Sequence, residues 1–164
     1  MIRPFVPWPD KRLRTPADPV GEITEDIRAI WDDMIETMEA MPGYGLAAPQ
    51  IGVMLRLAVV DCSEERGRAL CVANPEIVAS SPDMSDWDEA SPNLPGVSAT
   101  VSRPAGVTVA FTNRDGARIR QDFEGLWATS IQHQIDHLNG RMYFDNLSRT
   151  KREMLLKKAG KVRA

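Results

Sequence analysis

The sequence predicts an α+β domain, and three observations carry that expectation: an amphipathic helix near the N-terminus, a run of short β-prone segments in the middle, and a second amphipathic helix holding the only two histidines. The chain has 164 residues, 43% hydrophobic and 26% charged, which is enough for one domain with its own core. Residues 1–164 are therefore expected to form a single domain, with 149–164 as a basic tail.

The first helix is read over Thr24 to Met41. Ile27, Ile30, Trp31, Met34, Ile35, Met38 and Met41 recur at helical spacing, Thr24 is a suitable N-cap, Glu25 and Asp26 suit the positive end, and Pro42-Gly43 stops it. Its methionines suit a core stripe better than a pliable binding surface. Ahead of it, Met1 to Gly21 carries five prolines and is expected to lie extended over the domain, anchored by Phe5, Val6, Trp8 and Leu13.

After the small-residue run Gly43 to Gln50, Leu55 to Asp61 and Ala69 to Ala73 read as a hairpin turning at Glu64 to Gly67. Asn74-Pro75 should end the second of these strands, with Glu76 to Ser80 beginning another, and Ser81 to Trp87 reads as a polar surface loop. Val97 to Val101 and Val107 to Thr112 read as strands, the latter joined to Arg118 to Phe123 through Asn113-Arg114-Asp115-Gly116. The histidine helix begins near Gly125 and stops at Asn139-Gly140, a left-handed cap. Trp127, Ile131, Ile135 and Leu138 form its apolar stripe. The tail from Arg149 to Ala164 holds seven basic residues against Glu153 alone, and reads either as a solvated terminal helix or as a surface for RNA or another acidic partner.

With 20 basic and 23 acidic residues the net charge is −3, which argues against a generally basic nucleic-acid binder, so no specific DNA binding is expected. No stretch has signal-peptide character or the length of a membrane span, and a cytoplasmic location without membrane contact is expected. Cys62 and Cys71 lie symmetrically about the turn near Arg66-Gly67. A cross-strand disulfide is conceivable there, but in the cytosol reduced thiols are expected.

His133 and His137 stand four apart on the second helix, so both imidazoles leave one face, the spacing that lets a single helix give a metal ion two ligands. The stretch departs from His-Glu-x-x-His in having Gln134 between them.

Three segments carry a family resemblance. Gly43-Tyr44-Gly45-Leu46-Ala47-Ala48-Pro49-Gln50 is similar to Gly-x-Gly-Leu-Ala-Ala-x-Gln, Glu89-Ala90-Ser91-Pro92-Asn93-Leu94-Pro95-Gly96 to Glu-Gly-Cys-Leu-Ser-x-Pro-Gly, and Gln132 to Gly140 to Gln-His-Glu-x-Asp-His-Leu-x-Gly. Arg103-Pro104 and the opening Asp10-Lys11-Arg12-Leu13-Arg14 are similar as well, so the chain resembles the peptide deformylases along nearly its whole length. The resemblance implies antiparallel sheets around a central helix carrying the histidines, with further helices near the N- and C-termini.

It also implies a mechanism. A divalent metal, iron or zinc, held by two histidines and a cysteine, activates a water that attacks the formyl group of an N-terminal methionine. A glutamate moves the proton, while a glutamine and a backbone N–H stabilise the oxyanion. Carried across, the metal positions are His133, His137 and Ser91, the base position is Gln134, and the oxyanion positions are Gln50 and Pro92. Gly45, Leu46, Leu126, Thr129 and Ser130 fall at substrate-binding positions, with Thr129 and Ser130 more polar than the family's usual Ile-Cys.

Three of these positions depart from the pattern. The Ser91 hydroxyl is neutral where the family has a thiolate, Pro92 has no backbone N–H, and the Gln134 amide is neither acid nor base near neutral pH. The expectation is a deformylase-like protein of impaired catalysis, with no metal or a weakly bound one. Such a protein would retain binding of nascent N-terminal (formyl-)methionine, or of ribosomal components through the basic tail. The alternatives are an active metal-dependent deformylase and a structural or regulatory subunit. Cys62 and Cys71, placed in a hairpin away from the motifs, are not expected to replace the missing ligand, and Glu89 and Arg103 are expected to pair.

Overall fold

A four-residue strand buried on both faces, Leu57–Val60, sets the plan of the fold in the computed structural model, which describes residues 1–163. Successive side chains of a strand point to opposite faces. Leu57 and Val59 accordingly join the core beneath helix α1 (Glu25–Ala40), with Trp31, Met34 and Met38, all fully buried. Ala58 and Val60 join the opposite core, beneath helix α2 (Gly125–Leu138), with Ala128, Ile131 and Ile135. Burying one such side chain contributes about 1.5–3 kcal/mol, so two helices clamped over one strand fix its position firmly.

Around this strand, β2, an antiparallel sheet runs β1 (Gly45–Ala47), β2, β3 (Leu70–Ser80), β6 (Gly106–Thr112), β7 (Arg118–Glu124). A separate antiparallel ribbon pairs β4 (Met84–Ser91) with β5 (Leu94–Pro104). The architecture is α+β, as the sequence predicts.

Helix α1 is capped as expected: the Thr24 hydroxyl accepts from the Ile27 N–H. Helix α2 ends at Asn139, and Gly140 beyond it has φ +75° with the Arg14 carbonyl packed where a Cβ would stand. Its apolar stripe is buried as expected, apart from half-buried Trp127.

Several sequence expectations are corrected. Residues 1–21 do lie over the domain, with Val6 and Leu13 buried, but Lys11–Arg14 forms a 3-10 turn, because the Asp10 carboxylate caps it by accepting from the Arg12 N–H. Asn74-Pro75 does not end a strand. β3 continues to Ser80 through an irregularity between Ala73 and Glu76, where Asn74 takes φ +49° and its side chain bonds the backbone of Val20 in both directions. The supposed loop over 81–87 ends in strand β4, whose residues from Met84 to Asp88 are mostly exposed while its backbone pairs with β5. Cys62 lies beyond the end of β2 and Cys71 pairs with Val59, so the two are not cross-strand partners, and both thiols are free.

The tail is helix α3 (Arg149–Arg163), and it is not simply solvated. Leu155 and Ala159 are buried against Leu94, Val97 and Val101 of β5, leaving Arg149, Lys151, Lys157, Lys158 and Lys161 exposed. Ala164, the last residue assigned to the tail, lies outside the described residues. No helix among those residues is long and apolar enough to cross a membrane.

Candidate active site

Helix α2 buries one face on the sheet and turns another toward the β4–β5 ribbon, and this second face carries the histidines. Their Nε2 atoms lie 3.2 Å apart. Nδ1 of His133 bonds Oε1 of Glu89 at 2.7 Å, so with the carboxylate accepting, the His133 ring is held with Nε2 toward His137. Tyr143 stacks on the His133 ring at a centroid distance of 5.9 Å. Burial, reinforced by the charges of His133 and Arg103, holds His137 well below the ordinary histidine range, and its Nδ1 has no partner among the described residues.

Glu89 is also clamped by Arg103, from Nε to Oε2 at 2.7 Å and from a terminal nitrogen to Oε1 at 2.9 Å. Arg103 reaches on to Asp136 at 2.9 Å, and Asn146 closes the chain on the same carboxylate. Burial pushes the Glu89 carboxyl up, but the hydrogen bonds and charges of His133 and Arg103 outweigh it, leaving the group below the usual range. The expected Glu89–Arg103 pair is thus present. What sequence reasoning missed is that Glu89 also orients His133, although its place at the head of the middle motif was a signal.

Gln50 sits in a 3-10 turn after β1 and uses its whole amide internally. Oε1 accepts from the Ala47 N–H at 2.9 Å, while Nε2 donates to Asn93 Oδ1 at 2.8 Å and to Ser91 Oγ at 3.3 Å. Ser91 in turn donates to Asn93 Oδ1 at 3.0 Å. Asn93, which the sequence did not single out, also donates to the carbonyls of Val6 and Gln50 and ties the ribbon to the N-terminal segment.

These residues border a cleft of about 520 Å³. Ser91, Pro92, Gln50, Gly45, Leu126, Thr129, Ser130, His133 and Gln134 all line it, as do Met41 and Tyr44, which the sequence did not assign. Two expected residues do not. Leu46 is fully buried in the core beneath α1, because its side chain leaves the face of β1 opposite the cleft, and His137 lies behind His133 with 1% exposure. Gly45 sits at a close approach: a Cβ there would stand 2.5 Å from Gln134 Nε2 and 2.7 Å from Ser130 Oγ, so those side chains would have to move. Ser130 donates to the Tyr44 carbonyl at 3.0 Å, whereas Thr129 Oγ1 and Gln134 Oε1 are buried without partners among the described residues. Cys62 lies behind Ser130 outside the cleft lining, and burial pushes its thiol up to about 11.

The donor set fits a metal ion only in part. Corners of a tetrahedral zinc site lie about 3.4 Å apart for bonds of about 2.0–2.1 Å, so the two imidazoles suit adjacent corners. The third position offers the neutral Ser91 hydroxyl, engaged with Asn93 and Gln50, and among the described residues no group of three His, Cys, Asp or Glu side chains stands together to hold an ion. The three-ligand centre that the resemblance implies is not made up by these residue types.

The family model of polypeptide deformylases matches residues 2–153. Relatives named peptide deformylase include one from Methylocella silvestris, 43% identical with 96% of this chain and 83% of the relative covered, and one from Rhizobium meliloti, 44% identical with 99% and 96% covered. Among solved structures, a peptide deformylase from Legionella pneumophila superposes with a TM-score of 0.92 at 40% identity, covering 99% of this chain and 96% of that one. One from Ehrlichia chaffeensis, in complex with actinonin, gives 0.90 at 34% identity, with 98% and 96% covered. On sequence and fold together, this chain belongs to the polypeptide deformylase family.

Proposed function

We propose that the protein holds peptides by an N-terminal methionine in the cleft beside α2, and that its hydrolysis of the formyl group is strongly impaired. The observation behind this reading is that Ser91, Pro92 and Gln134 line one cleft together with His133. By the motif resemblance they take the positions of a thiolate ligand, an N–H donor and a general base. Losing a general base costs about 10² to 10⁴ in rate, and losing an oxyanion donor about 10² to 10³. The two need not multiply, because residues that act as a unit are non-additive. The remaining machinery binds and orients: Gly45 lets β1 approach α2 closely, Leu126 and Met41 give the cleft apolar surface for a methionine side chain, and Gln134 can hold a water without taking its proton. A cytoplasmic setting and contact of the exposed basic face of α3 with ribosomal RNA belong to the same proposal.

An active metal-dependent deformylase is the second reading. The relatives' names favour it over loss of function, and so does the placing of the two imidazole nitrogens 3.2 Å apart at metal-ligand spacing. Metal analysis of the purified protein, combined with a formyl-methionyl-peptide deformylation assay, separates the two. The first reading expects less than stoichiometric iron or zinc and turnover reduced by about 10² or more relative to an intact family member. Stoichiometric metal with turnover within about tenfold of such an enzyme would establish the second.

A further inference from the structure

Position 93 departs from the family motif as well, with Asn93 where the motif has a serine. Asn93 is 2% exposed, and its side-chain amide is fully engaged. Nδ2 donates to the carbonyls of Val6 and Gln50, at 2.6 and 3.0 Å, while Oδ1 accepts from Gln50 Nε2 and from the Ser91 hydroxyl, at 2.8 and 3.0 Å. A serine there has one O–H donor and could not make both donations. The circuit closes on Ser91, whose oxygen also accepts from Gln50 Nε2 at 3.3 Å and from the Asn93 backbone N–H at 3.4 Å. One proton and two lone pairs are all that a hydroxyl has, so Ser91 is saturated within the protein. Backbone bonds from the Val6 N–H to the Gln50 carbonyl and from the Trp8 N–H to the Asn93 carbonyl pin this cluster to the N-terminal segment.

We propose that Asn93 is a positioning residue that withholds position 91 from the imidazole pair, so that the loss of the third ligand rests on Ser91 and Asn93 together rather than on the hydroxyl alone. A ligand atom must shed its proton and turn a lone pair to the ion, which the group at position 91 can do only by giving up its bonds to Asn93 and Gln50. Competition from one such buried hydrogen bond lowers affinity by a factor of about ten. A thiol placed at position 91 would meet the same competition from Oδ1 of Asn93, so restoring the cysteine alone leaves part of the deficit in place. This rests on the reading that the family's metal centre is depleted in this chain.

The test is titration of the full-length protein with cobalt(II), and of Ser91→Cys with and without Asn93→Ser. Thiolate-to-cobalt charge transfer reports ligation through position 91, and competition with a chromophoric chelator gives the affinity. Adding Asn93→Ser to Ser91→Cys is expected to tighten cobalt binding about tenfold while lowering the urea midpoint, because the donations to the Val6 and Gln50 carbonyls are reduced. A merely structural Asn93 would lower the midpoint and leave the affinity unchanged or weaker, so the two roles move the metal readout differently. Asn93→Ala, which removes the side-chain acceptor outright, should tighten binding likewise and serves where the serine variant does not fold. Unchanged or weaker affinity in a folded double variant, or no charge transfer in any cysteine variant, overturns the role of Asn93 while leaving the depleted centre standing. Cobalt binding by the parent as tight and stoichiometric as that of Ser91→Cys overturns the depleted centre and this inference with it.

Discussion

Glu89 accepts a 2.7 Å hydrogen bond from Nδ1 of His133 while Arg103 holds both of its carboxylate oxygens. One buried carboxylate thus orients an imidazole of the cleft and neutralises a buried guanidinium. Replacing it as Glu89→Gln leaves Arg103 with Asp136 as its one charged partner among the described residues. Breaking a buried pair from one side costs about 3–5 kcal/mol, and we expect a loss of that order in urea unfolding. A loss under about 1 kcal/mol would show that the network does not hold the ribbon to α2.

The same groups make the protein sensitive to acid. The folded-state pKa of Glu89 is lowered, so its contribution is complete above the ordinary glutamate value and is lost as pH falls below it toward the lowered one. His137, buried and held neutral, also loses stability for the fold as pH drops below the ordinary histidine value, because only the unfolded chain takes up that proton readily. Denaturation midpoints should therefore fall first below about pH 6.5 and again below about pH 4.3. Glu89→Gln should flatten the lower step and leave the upper one in place.

Restoring Ser91→Cys, Pro92→Leu and Gln134→Glu together supplies the missing thiolate, N–H and base beside imidazoles already at ligand spacing. The triple variant should bind iron or zinc near stoichiometry and gain formyl-peptide hydrolysis by about 10² or more over the parent. If metal analysis finds no gain, the cleft differs from a deformylase beyond these three positions.

Gly45→Ala drives a methyl group to within 2.5 Å of Gln134 Nε2 and 2.7 Å of Ser130 Oγ. Both obstacles are side-chain ends, so relief comes by displacing them rather than the backbone. Overpacking of this kind costs about 1–3 kcal/mol, and peptide affinity should fall as Gln134 moves. Unchanged affinity in a titration would place the ligand away from Gln134.

Leu155→Ala distinguishes a docked α3 from a solvated one. With Leu155 buried against β5, the substitution should cost about 2–4 kcal/mol in chemical denaturation, whereas a solvated helix would show almost no change.

The elements with a strong period were legible in the sequence. Thr24, the α1 stripe, the Asn139-Gly140 stop and the four-residue spacing of His133 and His137 follow from local rules about caps and helical faces. Strand β4 was not legible, because Met84 to Ser91 alternates too little and is mostly polar, and its pairing comes from β5 rather than from its own side chains. The passage of β3 through Asn74-Pro75 was hidden for a related reason. The irregularity there is held by Asn74 bonding to Val20, 54 residues away in sequence.

By itself the sequence determined which groups are available: two imidazoles on one helix face, a hydroxyl at position 91, no N–H at position 92, and an amide at position 134. These are facts of residue chemistry that no fold alters. Only the tertiary structure decided how they are used. It committed both N–H bonds of Gln50 to Asn93 and Ser91, turned Leu46 into the core and set Glu89 against His133. The physical reason is that a hydrogen bond depends on which distant backbone brings its partner within about 3 Å, and here that is fixed by α2 lying between the sheet and the β4–β5 ribbon.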